Sequence, residues 1–190
     1  MYVLTRSGKH FNFANPTPDM VTIDDVAHAL SHINRFAGHT DYAFSVAQHC
    51  VAVSDFLERR GEPVRVQYAG LLHDAHEAYF GDISAPLKAF LKIGDAEDRI
   101  QAVVAQAFGL TLADFKDKRV KLADLTALAV EAEDLMPEDY EEWPYLAPVT
   151  VEMRMAMPKP VPLLAHRAKA RFLARYRQLA TQVNLLEMHC

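Results

Sequence analysis

The chain has 190 residues, 51% hydrophobic and 24% charged, with 7 Gly and 10 Pro; this suits one globular domain and excludes a disordered polymer or low-complexity repeat. Its 20 basic and 25 acidic side chains leave a formal charge of -5, so the basic footprint of a nucleic-acid polymer binder is absent, while a small anion held by one or two placed cations stays open. Two cysteines, Cys50 and Cys190, make neither a disulfide framework nor a zinc-type pair, and with no apolar leader or run of about 18 apolar residues the expectation is a reduced, cytoplasmic protein without membrane contact.

Residues 2–5 and 10–13 flank a Ser7-Gly8-Lys9 turn and predict a small β-hairpin within an N-terminal arm over 1–22. A helix capped by Thr22 or Asp24 is expected to run to about Phe36, with Val26, Leu30 and Ile33 on one face. Asp41 is the expected cap of a second, striped by Val46, Cys50, Val53 and Leu57 and ended by Gly61. A third starts near Pro63, buries Val64, Tyr68, Leu71, Leu72 and Ala75, and carries His73, Asp74 and Glu77 near its end. Gly81 and Pro86 bracket a turn, and amphipathic helices follow over 95–108 and 115–135. Six of the ten prolines lie between Pro137 and Pro162, predicting a structured loop over 136–162 with one short helix within 149–157. A last helix over 163–188, striped by Phe172, Tyr176, Leu179, Val183 and Leu186, completes an all-α bundle of one domain over 1–190.

Of the nine histidines, two sit with carboxylates on stripes that should face this core. His49 lies three after Val46 and four before Val53, Asp124 lies four after Val120 and three before Ala127, and His73-Asp74 ends the third stripe. A lone inward histidine is ordinarily a hydrogen-bonded core residue. Burying all four groups unpaired costs several kcal/mol each, whereas two neutral imidazoles and two carboxylates carry a charge near -2 that one divalent cation cancels. Glu77, four residues beyond His73, then stands beside that cation on nearly the same helical face, where it can position or deprotonate a water.

The order His49, His73-Asp74, Asp124 resembles the H…HD…D signature of the HD-domain metal-dependent phosphohydrolases, an all-helical fold. The blocks Ile33-Asn34-Arg35-Phe36, Val46-Ala47-Gln48-His49, residues 73–78, residues 81–88 and Ala123-Asp124 are similar to the bacterial 5'-deoxynucleotidases of that family. A prophage-encoded relative is resembled more closely still, through Ser7-Gly8-Lys9-His10-Phe11 and Arg35-Phe36-Ala37-Gly38-His39. The likeness spans about residues 1–135.

The resemblance implies that His49, His73, Asp74 and Asp124 hold one divalent metal ion, that Glu77 serves the attacking water, that Arg35 contacts the substrate phosphate, and that Asp82 acts in the site, at the sugar. Phe36 replaces the tryptophan of the nucleotidases, which keeps a ring for the deoxyribose but leaves sugar selectivity open. Lys88 and His39 join the candidates on charge and motif position. Only His76 lies between the HD pair and Asp124, too few histidines for the dinuclear HD phosphodiesterases, and Glu77-Ala78 stands where the ppGpp hydrolases have an acidic pair. The ligand set admits Co, Mn, Ni, Fe, Mg or Zn.

The expected function is therefore a 5'-nucleotidase that releases phosphate from deoxynucleoside monophosphates by direct attack of water. Its enzymatic rival is a dNTP triphosphohydrolase of the single-domain phage type, which needs more cations near the metal; a non-catalytic nucleotide-binding or sensing module is the rival of another class. A homodimer or higher homo-oligomer is expected by resemblance to dimeric nucleotidases.

Overall fold

The structure, a computed structural model, describes residues 1–137 and 143–187. Ten α-helices occur among them: α1 (Ile23–Leu30), α2 (Val46–Arg59), α3 (Val64–Leu72), α4 (Glu77–Phe80), α5 (Ala85–Leu91), α6 (Gly94–Ala107), α7 (Leu112–Phe115), α8 (Lys118–Leu135), α9 (Val151–Ala156) and α10 (Ala165–Glu187). The expected hairpin is present as antiparallel strands β1 (Tyr2–Leu4) and β2 (His10–Asn12), with Val3 opposite Phe11. Phe11 alone of the six strand residues is fully buried, stacked on Tyr79 at 4.0 Å, so the hairpin closes one end of an otherwise all-α core.

The antiparallel pair α2 and α3 forms the centre, and both α8 and α10 pack against it. Gly70 makes the approach of α2 and α3 possible: a β-carbon there would stand 2.4 Å from Leu57 Cδ1. On α10, Phe172 and Leu179 are completely buried, Val183 nearly so and Tyr176 in part, but Leu186, expected on the same stripe, is 56% exposed because the core ends before the last turn. Its expected last residue, Met188, lies outside the described residues. No helix among the described residues is long and apolar enough to cross a membrane.

Several boundaries differ from expectation, each because a polar group finds a partner that a longer helix would deny it. Thr22 caps α1 by accepting from Asp25 N–H, but the helix ends at Leu30 rather than near Phe36. The backbone beyond it bonds across the chain instead, Arg35 N–H to Phe44 C=O and Val46 N–H to Ile33 C=O. Phe36 and Ala37 then take left-handed angles, φ 54° and 51°, and turn the chain sharply. Ser45, not Asp41, caps α2 in a capping box with Gln48, while Asp41 N–H donates to Leu135 C=O.

The third helix does not run unbroken to Glu77. Gln101 Nε2 donates to the carbonyl of His73 at 3.0 Å, and Glu77 N–H donates to Asp74 C=O, so the chain tightens to i, i+3 bonding between α3 and α4. Pro86 does not close a turn but lies in the first turn of α5, a helix the sequence pattern did not predict. The helix expected over 115–135 is α8, which starts at Lys118 because the Asp117 carboxylate accepts from Arg119 N–H, while Phe115 ends the separate α7. The short helix expected within 149–157 is α9; of the loop expected over 136–162, residues 138–142 lie outside the described residues.

Candidate metal centre and its cavity

His49 projects from the first half of α2, His73 from the C-cap of α3, Asp74 from the tight turn after it, and Asp124 from the middle of α8. The packing of α2, α3 and α8 brings all four together. His49 Nε2 stands 3.2 Å from Asp124 Oδ1 and 3.6 Å from Asp74 Oδ2; His73 Nε2 stands 3.2 Å from Asp74 Oδ2 and 3.7 Å from Asp124 Oδ1. His49, His73 and Asp124 each place a ligand atom within 4.8 Å of the others'. The inward placement read from the stripes is thus observed for both histidines, which are buried, while Asp74 and Asp124 are half-buried and open upward.

The far side of each ring decides what Nε2 can do. His49 Nδ1 donates to Glu131 Oε1 at 2.6 Å and His73 Nδ1 donates to Gly70 C=O at 2.8 Å. Both acceptors fix the proton on Nδ1, so in the neutral rings both Nε2 atoms turn lone pairs toward the two carboxylates. Neither Nε2, though buried, makes a hydrogen bond. Lone pairs facing carboxylates require a positive charge between them, and a divalent cation fits that need with four N/O donors. A proton is the other candidate: burial opposes charge on His73, but Asp74 and Asp124 outweigh it and hold its pKa well above the usual imidazole value. Cys50 lies beside His73 and Asp74, yet burial, reinforced by Asp74 and Glu77, pushes its thiol well up and keeps it a neutral packing group.

Above this centre opens a cavity of about 340 Å³, walled by Arg35, Phe36 and Ala37, by Asp74, Glu77 and Asp82, by residues 83–86 and Lys88, by Asp124 and Leu128, and by Trp143 and Tyr145. Every expected site residue except His49, His73 and His39 therefore lines one space; the first two are buried, and His39 is exposed and outside it. Glu77 is only 3% exposed, which excludes a solvated helix-end glutamate, and its Oε2 has no hydrogen bond. Burial, then Asp74 and Asp82, push its carboxyl well above the ordinary range. Burial also raises Asp82, against the pull of Arg35, whose Nη1 is 3.7 Å away.

Five side chains have roles here that the sequence reading does not assign. Glu131, 2% exposed, bridges the metal centre and the phosphate candidate, accepting from His49 through Oε1 and from Arg35 Nε through Oε2 at 3.1 Å. Burial would raise its pKa, but His49 and Arg35 hold it below the usual value. The signal was available: Glu131 lies seven residues after Asp124, two turns along the same face of α8. Glu97 of α6 accepts from His76 Nε2 at 3.0 Å and from Lys88 Nζ, which also stands 3.9 Å from Glu77 Oε1. His76 is therefore a buried anchor for the carboxylate that holds Lys88. Trp143 and Tyr145 reach the cavity from the proline-rich segment, a long-range placement with no local signature.

The chain is 37% identical over 180 residues to the uncharacterised protein YfdR of Escherichia coli strain K12, a match that covers 94% of this chain and 96% of that one. It is also 37% identical over 138 residues to an uncharacterised protein of Rhodobacter capsulatus, with 68% of this chain and 70% of that protein covered. No protein-family model matches the chain.

Proposed function

The chain belongs to the YfdR family, and from that premise we propose that it is an HD-type, metal-dependent phosphohydrolase releasing phosphate from deoxynucleoside 5'-monophosphates. The observation that carries this reading is the pair of buried Nε2 atoms of His49 and His73, without hydrogen bonds and facing Asp74 and Asp124, at the floor of a cavity walled by Arg35, Glu77, Asp82 and Lys88. His49, His73, Asp74 and Asp124 would hold a divalent ion, which when bound would supply a more acidic water and Lewis-acid polarisation of the phosphate.

The side chains divide the remaining work. Two carboxylates and one divalent ion sum to about zero, so a phosphomonoester near -2 needs further positive charge. Arg35 supplies it: Glu131 secures the guanidinium through Nε, which orients the Nη edge toward the cavity. Glu77, raised in pKa by burial and by Asp74 and Asp82, is basic enough to take a proton from the attacking water as the phosphorus–oxygen bond to the nucleoside breaks. Asp82 faces Arg35 across the cavity and is placed for a sugar hydroxyl or for the proton that the leaving oxygen takes up. Lys88 adds a second cation, held over Glu77 by Glu97.

The cation count favours a monophosphate over a triphosphate. Among the described residues lining the cavity only Arg35 and Lys88 are cationic, and each already faces a carboxylate, Glu131 and Glu97. A triphosphate tail near -4 would be poorly matched. A non-catalytic module is disfavoured by the four complete ligand positions together with the buried Glu77. The homodimer belongs to this reading, and sedimentation of the purified chain tests it.

A phosphate-release screen over dNMPs, NMPs and dNTPs with Co, Mn and Mg tests the proposal, with Asp74→Ala as control. The expected result is phosphate from dNMPs in the parent and none in Asp74→Ala. Tripolyphosphate from dNTPs with dNMPs untouched would replace it by the triphosphohydrolase; nucleotide binding without turnover, unaffected by Glu77→Gln, would replace it by the sensing module.

A further inference from the structure

The cavity has a second wall whose chemistry the phosphate-handling residues leave unused. The Phe36 and Trp143 rings lie 6.4 Å apart between centroids at 19°, and Trp143 and Tyr145 lie 5.9 Å apart at 8°. Three nearly parallel rings, from two segments over a hundred residues apart in sequence, thus form one ladder along the cavity that holds Arg35, Glu77 and Asp82. The ladder is not simply core. Trp143 packs partly against the buried cluster, but Tyr145 is 48% exposed and Phe36 half-buried, so π surface remains at the opening. Phe36 reaches its place on a left-handed backbone, φ 54°, which a phenylalanine adopts only where the surrounding structure holds it.

We propose that Phe36, Trp143 and Tyr145 form a stacking shelf for the aromatic base of the substrate, so that the chain selects phosphomonoesters carrying a planar ring over bare sugar phosphates. This rests on the phosphohydrolase reading and specifies its substrate class. Stacking uses the π face that all nucleobases share, so the shelf demands a base while discriminating weakly among bases. The Arg35 guanidinium lies over the Phe36 ring, 5.6 Å from its centroid, which joins the shelf to the phosphate anchor. Selection between a nucleotide and a sugar phosphate then falls to the shelf, and anchoring of the phosphate to Arg35.

Trp143 is the only tryptophan of the chain, which gives the shelf its own optical signal. Emission of Trp143 is followed, with excitation at the red edge of its absorption, while dAMP, deoxyribose 5-phosphate or inorganic phosphate is added to metal-loaded Glu77→Gln protein. The expected result is saturable quenching by dAMP and little change with the other two. Equal quenching by dAMP and deoxyribose 5-phosphate, or none by either, overturns the shelf. In kinetics, Trp143→Ala and Tyr145→Ala should each raise KM for dAMP about tenfold, the scale of one base–aromatic stack, and lower the preference for dAMP over deoxyribose 5-phosphate. Trp143→Phe should restore most of that loss, and Tyr145→Ala, changing a half-exposed ring, guards against misfolding of the tryptophan variant. The two readings fail separately: quenching by dAMP without phosphate release retains the shelf and removes the hydrolase, whereas dNMP turnover with unchanged KM in both alanine variants retains the hydrolase and removes the shelf.

Discussion

At the floor of the cavity, His49, His73 and Glu131 are buried on or beside α2, α3 and α8, and each has its outer atom fixed by a neighbour. At the rim, α5 has no buried residue, and Leu87, Phe90 and Leu91 are 45%, 81% and 50% exposed. The floor is held by helix packing and a chain of hydrogen bonds running from His49 through Glu131 to Arg35. The rim is tied down chiefly where Lys88 meets Glu97, itself steadied by His76. Rigidity is thus concentrated at the four residues proposed to hold a cation, and the rim proposed to meet the ligand's outer parts rests on lighter contacts.

The comparison can be broken at the floor first. Glu131→Gln removes the charge that orients His49 and secures Arg35, and metal affinity measured by calorimetry should fall roughly 10- to 100-fold; unchanged affinity would mean that the floor is not preset through Glu131. Next in size, Gly70→Ala sets a methyl 2.4 Å from Leu57 Cδ1 in the α2–α3 contact. Leu57 is buried and cannot swing clear, so urea unfolding should show a loss of about 1–3 kcal/mol.

The tie between floor and rim should show in acid. The His76 donor, aided by Lys88 and opposed by burial, lowers the Glu97 carboxyl to about 2 from an ordinary 4.5. A depressed folded pKa contributes stability that is present above the unfolded value and lost as pH falls through the folded one. The stability gap between the parent and Glu97→Gln should therefore be full above pH 4.5 and close progressively toward pH 2; a gap independent of pH would sink the assignment. The smallest effect belongs to the rim itself: Phe90→Ser should shift the unfolding free energy by no more than about 0.5 kcal/mol, and a larger loss would show that α5 is packed more firmly than its exposure implies.

The same division explains what could be read from the sequence. The four proposed ligands were legible because an ionisable residue on an apolar stripe breaks a pattern, and His49 between Val46 and Val53 breaks it plainly. Glu131 breaks it too, two turns beyond Asp124, but its role depends on His49 and Arg35 arriving from other segments. The end of α1 was illegible because it is set by backbone bonds from Arg35 and Val46 to partners about ten residues away, not by a breaker residue. Helix α5 buries nothing and so has no stripe to display. Trp143 reached the cavity wall through a fold that no local periodicity encodes.

The paired left-handed residues Phe36 and Ala37 also bear on how this cavity can diverge. Branching at the β-carbon is poorly compatible with such a backbone, so valine, isoleucine and threonine are barred from both positions by the main chain, whatever room the cavity offers. Glycine is admitted at 37 without strain, and there it would relax the turn but widen the ensemble of the unfolded chain. At 36 it would remove the ring. A lineage that altered its ligand by mutation on this side would thus have a narrow vocabulary, of flat or unbranched side chains at 36, whereas the neighbouring Tyr145, free of that backbone constraint, has the wider range for innovation.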